Sequence, residues 1–265
     1  MSPEFLLAYW ALGLVAGFVA GLLGVGGGLI IVPILIWLFD AQGIAPAIQP
    51  HLALGTSLGS ILFTSASSLR AHHAHGAVDW SLVRRIGPGI VAGTLAGALL
   101  AALIPARPLK LFFILFLFYA AVQMAINFKP APSRNLPGPG GMFGAGSVIG
   151  AVSSWVGIGG GTLSVPFQVW CNVPFHRAVG TSAAIGFPIA LAGLLGYLAG
   201  GWHAEGLPPM SLGFISLPAL GGIAFGSVLT APLGARTAHA LPVARLKRIF
   251  AMLLLALAIR MSLTL

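Results

Sequence analysis

The sequence predicts an all-α integral membrane protein. It has two repeats of about five helical segments each, inverted relative to one another, with a short broken or re-entrant helix in each. Three observations lead there. Of 265 residues, 58% are apolar and 6% formally charged, with a mean hydropathy of +1.00, whereas a soluble domain carries about 25% charged residues to face water. Charge and turn punctuation divide the chain into ten apolar segments. Two glycine-containing strings recur in the same order in both halves. A large soluble catalytic domain is thereby excluded. The net charge of +9 fits basic residues flanking membrane spans in contact with lipid headgroups, and no nucleic-acid partner is expected. The one cysteine, Cys171, lies in an apolar stretch and reads as a small buried hydrophobe.

Taken in order, segment 5–23 lacks a basic leader and runs too far for a cleaved signal, so it is expected to enter the membrane. Segment 28–39 falls well short of the roughly 20 helical residues that cross a hydrocarbon core about 30 Å thick, while 50–70, 81–104 and 109–128 approach or exceed that length. The string PAPSRNLPGPGG, 130–141, reads as a linker. Beyond it, 142–156 is borderline and 162–171 short, and 178–200, 211–233 and 246–264 are long enough to span. The expected organisation is a first repeat over 1–129, the linker over 130–141 and a second repeat over 142–265.

The repeat rests on identities. GVGGGLIIVP at Gly24–Pro33 and GIGGGTLSVP at Gly157–Pro166 agree at six of ten positions, and HLALGTS at His51–Ser57 and HRAVGTS at His176–Ser182 at five of seven. Cytoplasmic loops are enriched in Lys and Arg, which tests orientation. If all ten segments act as passes or hairpin limbs with the N-terminus outside, ten basic residues lie inside and three, Arg107, Lys110 and Arg260, outside. If each short segment instead continues its predecessor as one span, the split is six against seven. The bias favours the inverted arrangement, which recurs in secondary transporters, with substrate near mid-membrane at the repeat interface.

Each short segment opens on three glycines: Gly26, Gly27 and Gly28 in the first half, Gly159, Gly160 and Gly161 in the second. A helix start free of side chains offers unpaired N–H groups and a positive dipole end to an anion. A segment of about 12 residues covers roughly 18 Å, so both starts are expected to meet near the membrane centre. The alternative is that these glycines only permit tight packing. Thr56, Ser57, Thr181 and Ser182 follow just inside the next segments, where their hydroxyls donate to an oxyanion or bond back to a helix carbonyl. His51 and His176 repeat five residues earlier and read either as proton-linked gates or as helix caps.

His72, His73 and His75 form a denser set in AHHAHG, 71–76. Without Cys, Asp or Glu in the stretch, a solvated loop is the better reading and no metal site is expected; a metal-binding protein or membrane-embedded enzyme using these histidines is the alternative from another class. Glycine spacing and the lack of a following Lys-Ser/Thr match neither a dinucleotide fingerprint nor a phosphate loop, so no cofactor is expected. The four acidic residues, Glu4, Asp40, Asp79 and Glu205, all fall at segment ends or in loops, which disfavours a cation path relayed by mid-span carboxylates.

These residues resemble the sulfite exporter TauE/SafE family, also called the toluene-sulfonate uptake permease superfamily. The likeness lies in G-x-GGG followed by Val-Pro, in [HK]-x-A-x-G-T-S, in the His-rich loop ending Gly-Ala-Val-Asp-Trp at Gly76–Trp80, and in duplication of the set. The resemblance implies an inner-membrane, multi-pass permease for small sulfur-containing anions such as sulfite or organosulfonates. It also implies Gly26, Gly27, Gly28, Thr56, Ser57, Gly159, Gly160, Gly161, Thr181 and Ser182 as substrate elements. The expected partners are a small anion and the lipid bilayer. The expected mechanism is alternating access, with one half rocking against the other; an anion channel on the same scaffold is the alternative. The second half departs from the pattern at Gly200–Glu205, where Gly-Gly-Trp-His-Ala-Glu replaces the histidine cluster and Asp-Trp.

Overall fold

The computed structural model describes residues 3–23, 27–126, 131, 133–240 and 243–265. Among the described residues ten helices follow in order: α1 Pro3–Leu23, α2 Gly28–Ala41, α3 Gln49–Ala74, α4 Trp80–Leu103, α5 Ala106–Ala125, α6 Pro139–Val156, α7 Gly161–Trp170, α8 Phe175–Gly200, α9 Leu217–Ala240 and α10 Val243–Leu263. Six of them, α1, α3, α4, α5, α8 and α9, are long and apolar enough to cross a membrane. α10 is of similar length and carries four basic residues, Arg245, Lys247, Arg248 and Arg260.

Helix ends follow local chemistry. The Asp79 carboxylate accepts from the Leu82 amide at 3.1 Å and starts α4. Prolines sit in the first turns of α3 and α6, where a missing N–H costs nothing. Two boundaries differ from expectation. α9 begins at Leu217, not 211, because Ser211 and Ser216 bridge a turn in which Met210 and Gly213 take positive φ. α3 runs on through His72 and His73 to Ala74, so the stretch expected to be a solvated loop is largely helix, with His72 buried.

The short helices fold back on their predecessors. Gln42, capping the end of α2, donates from Nε2 to the Tyr9 hydroxyl near the start of α1 at 2.6 Å. Ser133 and Arg134, which precede α6, donate their amides to the Trp170 carbonyl at the end of α7, each at 3.3 Å. A continuous α6–α7 span would put Arg134 and Trp170 on opposite faces; instead the guanidinium lies 4.9 Å from the Trp170 ring centre. At about 1.5 Å per residue, α2 and α7 are about 21 and 15 Å long, less than a bilayer core.

Helices of the two halves interlock. α1 packs along α9 and α4 along α6; α3 packs on α9 and α8 on α4; α2 lies on α3 and α7 on α8; α3 meets α8 and α5 meets α10. Matching the helices of the halves in order maps this set of pairings onto itself. Small residues allow the close approaches: methyl groups at Gly13, Gly17 and Gly21 of α1 would overlap backbone of Ile223, Ser227 and Ala231 on α9. Gly89, Gly93 and Gly97 of α4 stand in the same relation to Phe143, Ser147 and Ala151 on α6. This four-residue spacing of small residues is how membrane helices approach without a hydrophobic driving force between them.

Cations gather at two ends. At one, Lys110 Nζ donates to the Thr264 carbonyl at 2.7 Å and Arg260 stands 4.7 Å from the Trp37 ring centre. At the other, Arg134 lies on Trp170 and Lys247 stands 5.2 Å from the Phe175 ring centre. Among the described residues, none of the buried polar side chains is Asp, Glu, Lys or Arg. Large apolar residues such as Leu100, Leu115, Phe225 and Met252 face outward, as suits a surface solvated by lipid.

Candidate functional site

The two helix breaks have the same local geometry. Gly27 caps α2 at φ 72°, ψ −15°, and Gly160 caps α7 at φ 78°, ψ −9°, a left-handed conformation open to glycine at no cost. The Gly27 carbonyl accepts from the Ile30 and Ile31 amides, and the Gly160 carbonyl from those of Leu163 and Ser164. The first two amides of each helix, those of Gly28 and Leu29 and of Gly161 and Thr162, have no acceptor within the helix. Gly26 lies outside the described residues.

The breaks touch each other. A methyl on Gly28 would overlap the Gly157 carbonyl oxygen, and Ser57 Oγ donates to that same oxygen at 2.8 Å. Ser182 Oγ shares a hydrogen bond with Ser164 Oγ of α7 at 2.7 Å. The two threonines do something else. Thr56 Oγ1 accepts from the Ser216 amide at 2.9 Å, and Thr181 Oγ1 from the Asp79 amide at 2.9 Å. Ser216 and Asp79 stand just before α9 and α4, so each threonine holds the start of the other half's fourth helix. The preceding Gly55 and Gly180 leave room for the carbonyls of Phe214 and Ala77.

Beside the breaks lies a small, partly open pocket of about 20 Å³. Its wall joins Ala20 of α1, Ile61 to Ser68 of α3, Gly159 at the α6–α7 break, and Ser182, Ala183 and Gly186 of α8. Sequence reasoning missed Thr64, Ser65 and Ser68 of this wall. A signal was present: Ser57, Ser60, Thr64 and Ser68 recur every three to four residues along one face of an apolar helix. Thr64 bonds to Ser227 Oγ at 2.7 Å and Ser65 donates to the Leu62 carbonyl at 3.2 Å. Ser68 Oγ is buried with no protein partner, as are Ser153 Oγ, 3.5 Å from where a Gly160 Cβ would stand, and Thr162 Oγ1 in the first turn of α7. Of the expected residues, Gly159 and Ser182 line the pocket, Gly27, Gly28, Gly160, Gly161 and Ser57 form the adjoining breaks, and Thr56 and Thr181 sit at the latches.

Among the described residues, no histidine lines the pocket. His51 is buried, and its Nε2 donates to the carbonyls of Ala101 at 3.1 Å and Ile104 at 2.9 Å, closing the end of α4. Its ring stacks on Phe214 at 5.0 Å. His176 is exposed at the start of α8, its ring against Phe175. His73 Nδ1 accepts from Trp80 Nε1 at 3.3 Å, and His75 bonds to the Ala71 carbonyl at 2.7 Å. Among the described residues no three metal-ligating side chains converge. The acidic side chains stay at helix ends: Asp40 accepts from Gln49 and Asp79 caps α4.

With charged side chains absent from the buried polar set among the described residues, helix dipoles, backbone amides and hydroxyls supply the site's electrostatics. The description "Sulfite exporter TauE/SafE" belongs to a family model that residues 9–261 match. A Haemophilus influenzae protein named "Probable membrane transporter protein" is 35% identical over 98% of both chains. The Methanocaldococcus jannaschii "Probable membrane transporter protein MJ0441" is 30% identical over 81% of this chain and 80% of its own. The Bacillus subtilis "Probable membrane transporter protein YunE" is 30% identical over 76% of this chain and 81% of its own. No solved structure matches the chain.

Proposed function

The chain belongs to the sulfite exporter TauE/SafE family, and from that premise we propose that it is a secondary transporter of small sulfur-containing anions, sulfite or organosulfonates, working by alternating access in the bacterial inner membrane. The observation that carries this reading is the pocket between α3 and α8, beside which two glycine-capped helix starts meet. An anion there finds hydroxyl and amide donors and two positive dipole ends. Broken helices of this kind hold substrate in secondary transporters. Ser57, Ser65, Ser164 and Ser182 are bonded to one another or to carbonyls rather than to a base that would activate them, which favours a carrier over an enzyme.

The interlocked packing redraws the moving unit. α1, α2, α3 and α9 pack as one group and α4, α6, α7 and α8 as the other. The Thr56–Ser216, Thr64–Ser227 and Thr230–Leu14 bonds stay within the first group, and Thr181–Asp79, Ser164–Ser182 and Trp155–Gly97 within the second. The pocket wall divides between the groups, Ala20 and the α3 residues on one side, Gly159 and the α8 residues on the other. Rocking therefore occurs between these groups, each borrowing its fourth helix from the other sequence half, and not between the halves themselves. The backbone reversals at the breaks and the ten-to-three charge bias support inverted repeats over 1–129 and 142–265, with the Arg134 end cytoplasmic.

Proteoliposome uptake of labelled sulfite and a small organosulfonate tests the reading. Saturable flux is expected, and ohmic flux would make the protein a channel. Gly160→Leu abolishes flux, and so does Ala183→Leu, which fills the pocket from α8 and leaves the break's own residues unchanged. Wild-type flux in membrane-inserted Ala183→Leu would remove the pocket assignment.

A further inference from the structure

We propose that the pocket takes its oxyanion as a monoanion, hydrogen sulfite or a sulfonate, and rejects dianions, with Ser68 as a hydroxyl ligand; this rests on the anion-carrier reading above. Two helix starts bear on the pocket. Gly27, the cap of α2, packs against Ala20 of the pocket wall, and Gly160, the cap of α7, follows Gly159 of that wall. Each start is equivalent to about half a positive charge, so the pair balances one negative charge. No charged side chain among the described residues lines the pocket to balance a second. Desolvation cost grows with the square of the charge, so a dianion meets about four times the penalty of a monoanion with no more compensation.

Independent of the helix starts, one pocket hydroxyl wants a partner. Ser68 is 5% exposed, lines the pocket and has no hydrogen-bond partner among the described residues. Buried hydroxyls in native proteins are almost always satisfied, and a bound oxyanion satisfies this one. Such a ligand set cannot replace the countercharge that a sulfate dianion requires.

The charge state is separable from proton coupling because sulfite has its second ionisation near neutral pH, methanesulfonate stays a monoanion, and sulfate stays a dianion. Of the titratable groups near the pocket, His72 and Arg70 follow Ser68 on α3, and α1, the α6–α7 break and α8 contribute none to the wall. A coupled proton changes sulfite and methanesulfonate flux alike, and the ratio measured in His72→Ala separates the substrate's own ionisation from any effect of that histidine. Wild-type proteoliposomes are assayed from pH 6 to pH 9 with the three labelled anions. The sulfite-to-methanesulfonate ratio falls about tenfold per pH unit above the sulfite ionisation, and sulfate enters at less than about one-hundredth of the methanesulfonate rate. Ser68→Ala raises KM for sulfite and methanesulfonate about tenfold. A ratio constant with pH, or sulfate entering as fast as methanesulfonate, overturns the monoanion assignment while leaving the carrier. An unchanged KM in Ser68→Ala removes Ser68 as a ligand. No flux of any of the three in folded protein overturns the carrier reading itself.

Discussion

At Thr56 and Thr181 a hydroxyl accepts the backbone N–H that precedes a helix of the other half. These residues look like ligand donors in sequence, because Gly-Thr-Ser recurs beside a glycine-opened helix. What sequence does not carry is the partner, 160 and 102 residues away. The motif divides its labour: the glycine admits a neighbouring carbonyl, the threonine receives an amide, and the serine reaches the break or the helix that follows it. Thr56→Ala strands the amide of Ser216, a 6% exposed residue, and costs about 1–3 kcal/mol. Thr181→Ala costs less, since Asp79 is partly exposed. Thermal unfolding in detergent measures both, and an unchanged Thr56→Ala midpoint would contradict the latch. Ser68 shows the opposite case, a pocket-lining residue legible in the polar stripe of α3 once that stripe is read by its period.

The elements themselves were largely legible, because a bilayer leaves few choices: apolar length, glycine-proline punctuation and charge mark every helix. The exceptions have physical causes. The start of α9 is displaced by a positive-φ turn at Met210 and Gly213, and the His-rich stretch stays helical with His72 buried. Which helices pair was not legible, yet the glycines that make pairing possible were. Glycines on α1 and α4 are of two kinds. Gly17 sits against backbone of α9, whereas Gly87 has open space around its Cβ direction. Gly17→Leu therefore separates α1 from α9 and strongly lowers the unfolding temperature. Gly87→Ala leaves packing untouched and stabilises by about 0.5–1 kcal/mol through helix propensity. Equal effects from the two substitutions would remove close packing as the reason for the α1 stripe.

At the scale of the molecule, two four-helix groups face each other across α3 and α8, with the pocket on the seam. Side-chain hydrogen bonds cross between them at two places: Ser57 to the Gly157 carbonyl beside the pocket, and His51 to the Ala101 and Ile104 carbonyls at the end of α4, at the Lys110 end. From Ile61 to Ser68 the pocket wall runs along α3 for about 10 Å, toward the basic end that the charge bias assigns to the cytoplasm. The seam offers a direct control on motion. A Cβ on Gly186 would stand 3.6 Å from that of Ser65, within the range a disulfide spans. The decisive measurement is labelled-sulfite flux in proteoliposomes of Ser65→Cys/Gly186→Cys, in a Cys171→Ser background, before and after reduction. Loss of flux when oxidised and recovery of saturable flux on reduction is the predicted result. Undiminished flux through the oxidised, fully cross-linked protein would contradict transport by movement across this seam.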